Sequence, residues 1–107
     1  MTLLQLQFEV AEWGRRNFPN ALPYQPLLGA QEEIGELAHA HLKMEQGIRG
    51  TRLEHIDAKC DAVADCVIFL AHYCELNGLE FSVLVEEVWN QVKQRDWIKF
   101  PKNGKTE

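Results

Sequence analysis

Hydrophobic residues recur along this chain at helical intervals, and nowhere do they alternate as a strand would. Leu3, Leu6, Val10 and Trp13 share one face of a helix over about residues 2–17, which the Pro- and Asn-rich "NFPNALPYQP" then ends. A second helix is predicted from about 26 to 46, with Leu27, Ala30, Ile34, Leu37, Ala38, His41 and Met44 as its buried stripe. Gly47, in "QGIRGT", is suited to the left-handed residue that closes it. The third helix, about 51–77, is apolar almost all round in "AVADCVIFLAHYC" and stops at Asn77-Gly78. Such a segment is expected to be covered on several sides. A fourth helix, about 80–97, presents Phe81, Leu84, Val85, Val88 and Val92 on one face. The polar end "PKNGKTE" is expected to be loose.

The pattern predicts an all-α protein: one helical domain over residues 1–98, a polar tail over 99–107, and a four-helix bundle with antiparallel neighbours. The third helix has more apolar surface than one chain's other helices would cover. Self-association through it is therefore expected.

Composition narrows the function. With 107 residues and a net charge of −5, the chain is a poor candidate for binding a nucleic-acid polymer or an anionic membrane. A small anionic ligand is compatible if a metal supplies positive charge. No apolar run reaches the length of a membrane span, and "MTLLQLQFEVAEW" lacks the basic flank and cleavage site of a signal peptide, so a cytoplasmic protein is expected. Cys60, Cys66 and Cys74 lie in one helical segment without CxxC spacing and read as small hydrophobes, neither disulfide-bonded nor zinc ligands.

The candidate chemistry is acidic. "QEEIGELAHAH" places Glu32, Glu33 and Glu36 within five positions, with Glu33 and Glu36 along the border of the second helix's apolar stripe. Like charges so spaced repel, and a solvated face is one reading of them. The third helix adds Asp65 inside "AVADCVIFL", with Asp61 one turn earlier on the same face. A carboxylate buried there has to be paired, protonated or metal-bound. Lys59, Lys93, Arg95 and Arg52 are possible ionic partners, but they would have to neutralise four or five acids. A hard divalent cation with oxygen ligands, Mg²⁺ or Mn²⁺, explains the convergence better. "ELAH" is also one Glu-x-x-His, which leaves iron or manganese redox chemistry open, although no second copy lies on another helix.

"EEIGEL", then "DAVADCVIFL" on the next helix and "VWNQVKQRDW" near the C-terminus, resemble the MazG-like branch of the all-α nucleoside triphosphate pyrophosphohydrolases over roughly residues 5–98. The resemblance implies a MazG-like all-α fold assembled as a homodimer or a dimer of dimers. It also implies Mg²⁺-dependent hydrolysis of an NTP or dNTP to the monophosphate and pyrophosphate. The family ExxE matches Glu33-x-x-Glu36, preceded by Glu32, and the Asp of the following ExxD matches Asp65. Ala62 stands where that motif has Glu, with Asp61 as the plausible substitute.

The resemblance implies Glu32, Glu33, Glu36 and Asp65 as catalytic residues and Glu33, Glu36, Asp61 and Asp65 as metal ligands, with Glu32 serving a second ion or the attacking water. Asn90 and Lys93 match the family's "NxxK" region. With Arg95 and Trp97 they are the candidate substrate contacts, an exposed surface face being the alternative. Trp13, Phe18, Tyr24 and Trp97 are candidates to stack on the base. A helical dimer that binds metal or nucleotide for regulation without turnover is the competing function, kept open by Ala62.

Overall fold

Capping chemistry sets most of the helix ends. The structure, a computed structural model, describes residues 1–106 and contains four helices: α1 (Leu3–Asn17), α2 (Gln25–Gln46), α3 (Arg52–Leu76) and α4 (Phe81–Val92). Thr2 and Gln5 form a reciprocal capping box at the start of α1, and Thr51 and Glu54 do the same for α3. Pro26 sits in the first turn of α2, where its missing N–H costs nothing. Gly47 ends that helix at φ 68°, and the N–H of Ile48 reaches back to the Lys43 carbonyl. His55 is buried and lies 2.9 Å from the Ile48 carbonyl through Nε2, which pins the short loop between α2 and α3.

α2 and α3 pack along their lengths as a hairpin, and the face of α2 that enters this seam is rotated from the expected one, keeping only Ala30, Leu37 and Met44 of the predicted stripe. Pro26, Ala30 and Ala40 are buried, with Gly29, Glu33, Leu37 and Met44 beside them. Leu27, Ile34, Ala38 and His41 are exposed, Ile34 at 49%. Small residues bring the two backbones close together, and the larger aliphatics are left on an outer stripe.

α1 lies against α3, where Ala71, His72 and Cys74 are buried, and α4 touches only α1 and α3. The anchor at that corner is Gln7. Its amide donates to the Leu79 carbonyl at 2.7 Å and to Glu75 Oε2 at 3.2 Å, and its oxygen accepts from the Phe81 N–H at 2.9 Å. α4 then leaves α3 at 110° and has no buried residue. Helices α1 and α2 do not pack on each other, nor do α2 and α4, so the closed bundle predicted from the short connections does not form within one chain.

α3 is covered by α2 and, towards its C-terminus, by α1, while Leu53, Ile56 and Val63 stay open to solvent. Two further expectations are corrected. α4 stops at Val92, short of residue 97. The following segment is not loose, because the Asp96 carboxylate accepts the N–H groups of Ile98 and Lys99, and the Asp96 N–H donates to Gly104 at 2.8 Å. Gly104, at φ 76°, is buried between Arg95 and Trp97.

The chain is open for its length. Its radius of gyration is 17.5 Å, against about 13 Å for a compact domain of this size. The accessible surface is 8120 Å², against roughly 6,100 Å² for a monomer of this mass. No large side chain is fully buried. Among the described residues no single helix is long and apolar enough to cross a membrane.

Candidate functional site

Because α2 turns its small-residue face to α3, Glu33 enters the seam while Glu32 and Glu36 stay exposed on either side. Its Oε2 is buried without a hydrogen-bond partner. Withdrawal from water raises the Glu33 pKa, and so do the neighbouring Glu36 carboxyl, to which a protonated Glu33 can donate, and the charges of Glu36, Asp65 and Glu32. Acids from α2 and α3 thus act on one group.

The burden of burial falls elsewhere than expected. Asp65, predicted to be enclosed within α3, is exposed on the side of the helix that looks toward Glu33. Glu33 is the carboxylate that has lost water. Asp61 is also exposed and is not among the acids that act on Glu33. Ala62 is 2% exposed, packed into the core. No Lys or Arg answers these charges: the one ion pair among the described residues is His41 with Glu45, both exposed, at 3.0 Å.

Glu33 and Asp65 both open onto a cavity of about 890 Å³ between α1, the 18–26 segment and the α2–α3 hairpin. Its walls are mainly apolar, with Val10, Trp13, Phe18, Ile68 and Phe69 prominent. Glu9 adds a third carboxylate, and no Lys or Arg lines it. Gly29 provides the notch into which the Phe69 ring fits, since a Cβ there would overlap the ring. Trp13 and Phe18 meet edge to face at 5.4 Å between centroids. The Asn77 amide ties the 18–24 loop to the end of α3 by donating to the Pro23 carbonyl at 2.9 Å. Of the four aromatic candidates, Trp13 and Phe18 line the cavity, whereas Tyr24 and Trp97 do not.

The site is open, not preformed. Among the described residues no three His, Cys, Asp or Glu side chains stand close enough together to make a coordination shell.

Asn90, Lys93, Arg95 and Trp97 are not brought to this cavity. Asn90 and Lys93 are exposed at the end of α4, and Arg95 and Trp97 pack around Gly104, with Arg95 Nε buried and unpartnered. α4 does not approach α2, which carries the glutamates. Sequence reasoning missed one residue that the fold makes prominent, Gln7, whereas His72, on the helical stripe of Asp61 and Asp65 and read as a surface or core-edge residue, is buried with its Nε2 against Gly14 of α1. Comparison of the chain with models of protein families, with curated proteins and with solved structures finds no match.

Proposed function

We propose that the protein is a Mg²⁺-dependent nucleoside triphosphate pyrophosphohydrolase, converting an NTP or dNTP to the monophosphate and pyrophosphate, and that it acts as a homodimer or a dimer of dimers. The observation that carries this reading is Glu33, its Oε2 sealed from water without a partner, beside Glu36, Asp65 and Glu32 at the edge of a large apolar cavity that no Lys or Arg lines. Negative charge without a protein counter-ion, next to a cavity wide enough for a base and sugar, is the arrangement a metal-chelated triphosphate requires.

In this reading Glu33, Glu36 and Asp65 would hold Mg²⁺, or Mn²⁺, which takes the same oxygen ligands. The ion supplies neutralisation of charge on the phosphate oxygens. Glu32, exposed beside the cluster, holds a second ion or takes the proton of the attacking water. The apolar walls exclude water from the base while the acid edge faces the α–β phosphoanhydride. Asn90, Lys93, Arg95 and Trp97 reach a substrate only on another copy, because within one chain α4 points away from α2.

Purified protein incubated with each NTP and dNTP plus Mg²⁺ is expected to release pyrophosphate from at least one of them. Glu36→Ala is expected to lower turnover by about 100-fold or more, and chelation to abolish it. No pyrophosphate from any substrate would sink the proposal. A second reading, a helical dimer that binds metal or nucleotide without turnover, is favoured by one observation: Ala62 is buried, and Asp61 does not act on Glu33. Nucleotide binding without pyrophosphate release is its signature.

A further inference from the structure

Helix α3 carries a second apolar stripe, on the side turned away from α2. Leu53, Ile56, Cys60, Val63 and Val67 follow one another at steps of three, four, three and four residues, the a and d positions of a coiled coil. At about 100° per residue they fall within roughly 80° of one another. Ala62, which is buried, and Phe69, seated against Gly29 of α2, lie on the opposite side of the helix. Leu53 is 67% exposed and Val63 53%, Ile56 and Cys60 are exposed, and Val67 is half-buried. The stripe is thus uncovered by its own chain over about 21 Å of axis, and it ends before Cys74, which is buried.

The two borders of this stripe carry opposite charge. Arg52 and Lys59 occupy g positions on one side, and Asp57 occupies the e position on the other, with Asp61 beyond it. None of the four has an ionic partner within the chain, where the one ion pair among the described residues joins His41 to Glu45. When two such helices lie parallel and in register, the g side of each faces the e side of the other, which sets Arg52 opposite Asp57 of the second copy, twice by symmetry. An antiparallel pair sets g against g and e against e, so that cations meet cations. α4 is exposed as well, but between Phe81 and Val92 it holds Glu86 and Glu87 and no cation, so pairing with itself gains no such match.

We infer that α3 pairs with α3 of a second copy of this chain, parallel and in register, through Leu53, Ile56, Cys60, Val63 and Val67. This rests on the homodimer of the proposed function, and not on its chemistry, and it assigns that dimer a face and an orientation. The surface available agrees, since the chain exposes 8120 Å², about 2,000 Å² beyond a compact monomer of its mass. In this register each Cys60 lies beside the Cys60 of the other copy, because an a residue of a parallel pair faces its own equivalent.

The purified protein is treated with a short bis-maleimide, and its association is followed by sedimentation. Wild type and Cys66→Ser are expected to give a covalent dimer, and Cys60→Ser none. A dimer in sedimentation that is not joined through Cys60 overturns the inference and leaves the homodimer standing, whereas a monomer at every concentration overturns both. Charge exchange tests the orientation. Arg52→Glu is expected to weaken the dimer about tenfold, through two lost pairs and two new repulsions, and adding Asp57→Arg to restore most of the affinity. Arg52 lies in the first turn of α3, where a glutamate favours the helix, so an unchanged circular dichroism spectrum is expected alongside the weaker dimer. Unchanged or tighter association in Arg52→Glu overturns the parallel register.

Discussion

Gln7, buried, and Glu33, half-buried with one sealed oxygen, show how differently a polar side chain in the protein interior behaves with and without partners. Glu33 has none for Oε2, and its pKa lies above the ordinary value of 4.5. A carboxyl whose folded-state pKa is raised favours the fold while protonated, and that advantage is lost as pH rises through the raised value. Metal-free wild type is therefore expected to melt progressively lower than Glu33→Gln as pH climbs from 4 to 8, followed by circular dichroism. In the proposed function, Mg²⁺ raises the wild-type melting temperature at pH 8 and leaves Glu33→Gln unmoved; an equal response in both would remove Glu33 from the ligand set. Gln7 satisfies three groups at the α3–α4 corner. Gln7→Leu strands the Leu79 carbonyl and the Phe81 N–H and is expected to cost about 2–3 kcal/mol in urea unfolding. The acids were legible in the sequence because three glutamates beside an apolar stripe contradict its pattern. Gln7 was not, because one Gln on an amphipathic helix resembles every solvent-facing Gln, and its partners lie more than 65 positions away.

At the level of helices, periodicity located all four and placed most ends within a residue or two. Where it erred, it erred in rotation. α2 carries two overlapping apolar stripes, one of small residues around Ala30 and Ala40 and one of larger aliphatics around Leu27 and Ile34. Hydrophobicity alone favours the second, whereas close backbone approach to α3 selects the first and draws Glu33 inward with it. Gly29 belongs to this seam, and Gly29→Ala forces the Phe69 ring to move. The substitution is expected to cost about 1–3 kcal/mol and to weaken binding of an apolar dye in the cavity. Unchanged stability together with unchanged dye affinity would mean that the notch does not shape the cavity. The early end of α4 was hidden for a related reason: Asp96 organises the backbone that follows, and its role depends on where Gly104 returns.

For the molecule as a whole, surface is the dominant fact. The chain exposes 8120 Å², about 2,000 Å² beyond a compact monomer of its mass, and a permanent dimer interface buries on that order. The outer stripes of α2 and α3 and nearly all of α4 are the exposed apolar faces that such an interface would cover. Sedimentation is expected to give a dimer or larger at micromolar concentration, with a melting temperature that rises with protein concentration. A concentration-independent monomer would refute it. Mixing Glu36→Ala with Lys93→Ala subunits is expected to recover about a quarter of wild-type turnover, because half the dimers then hold one intact site. Recovery of none would place Lys93 in the same chain's site or in no site.

The way α1 docks also sets an order of events in folding. The α2–α3 hairpin is joined by a five-residue loop, whereas α1 meets the far end of α3 only after some sixty residues have been looped back, and such long closures form late. The cavity, walled by α1 on one side and the hairpin on the other, is accordingly complete only once α1 has docked. Gln7, which fastens α1 to that end of α3, thereby supports the cavity without lining it.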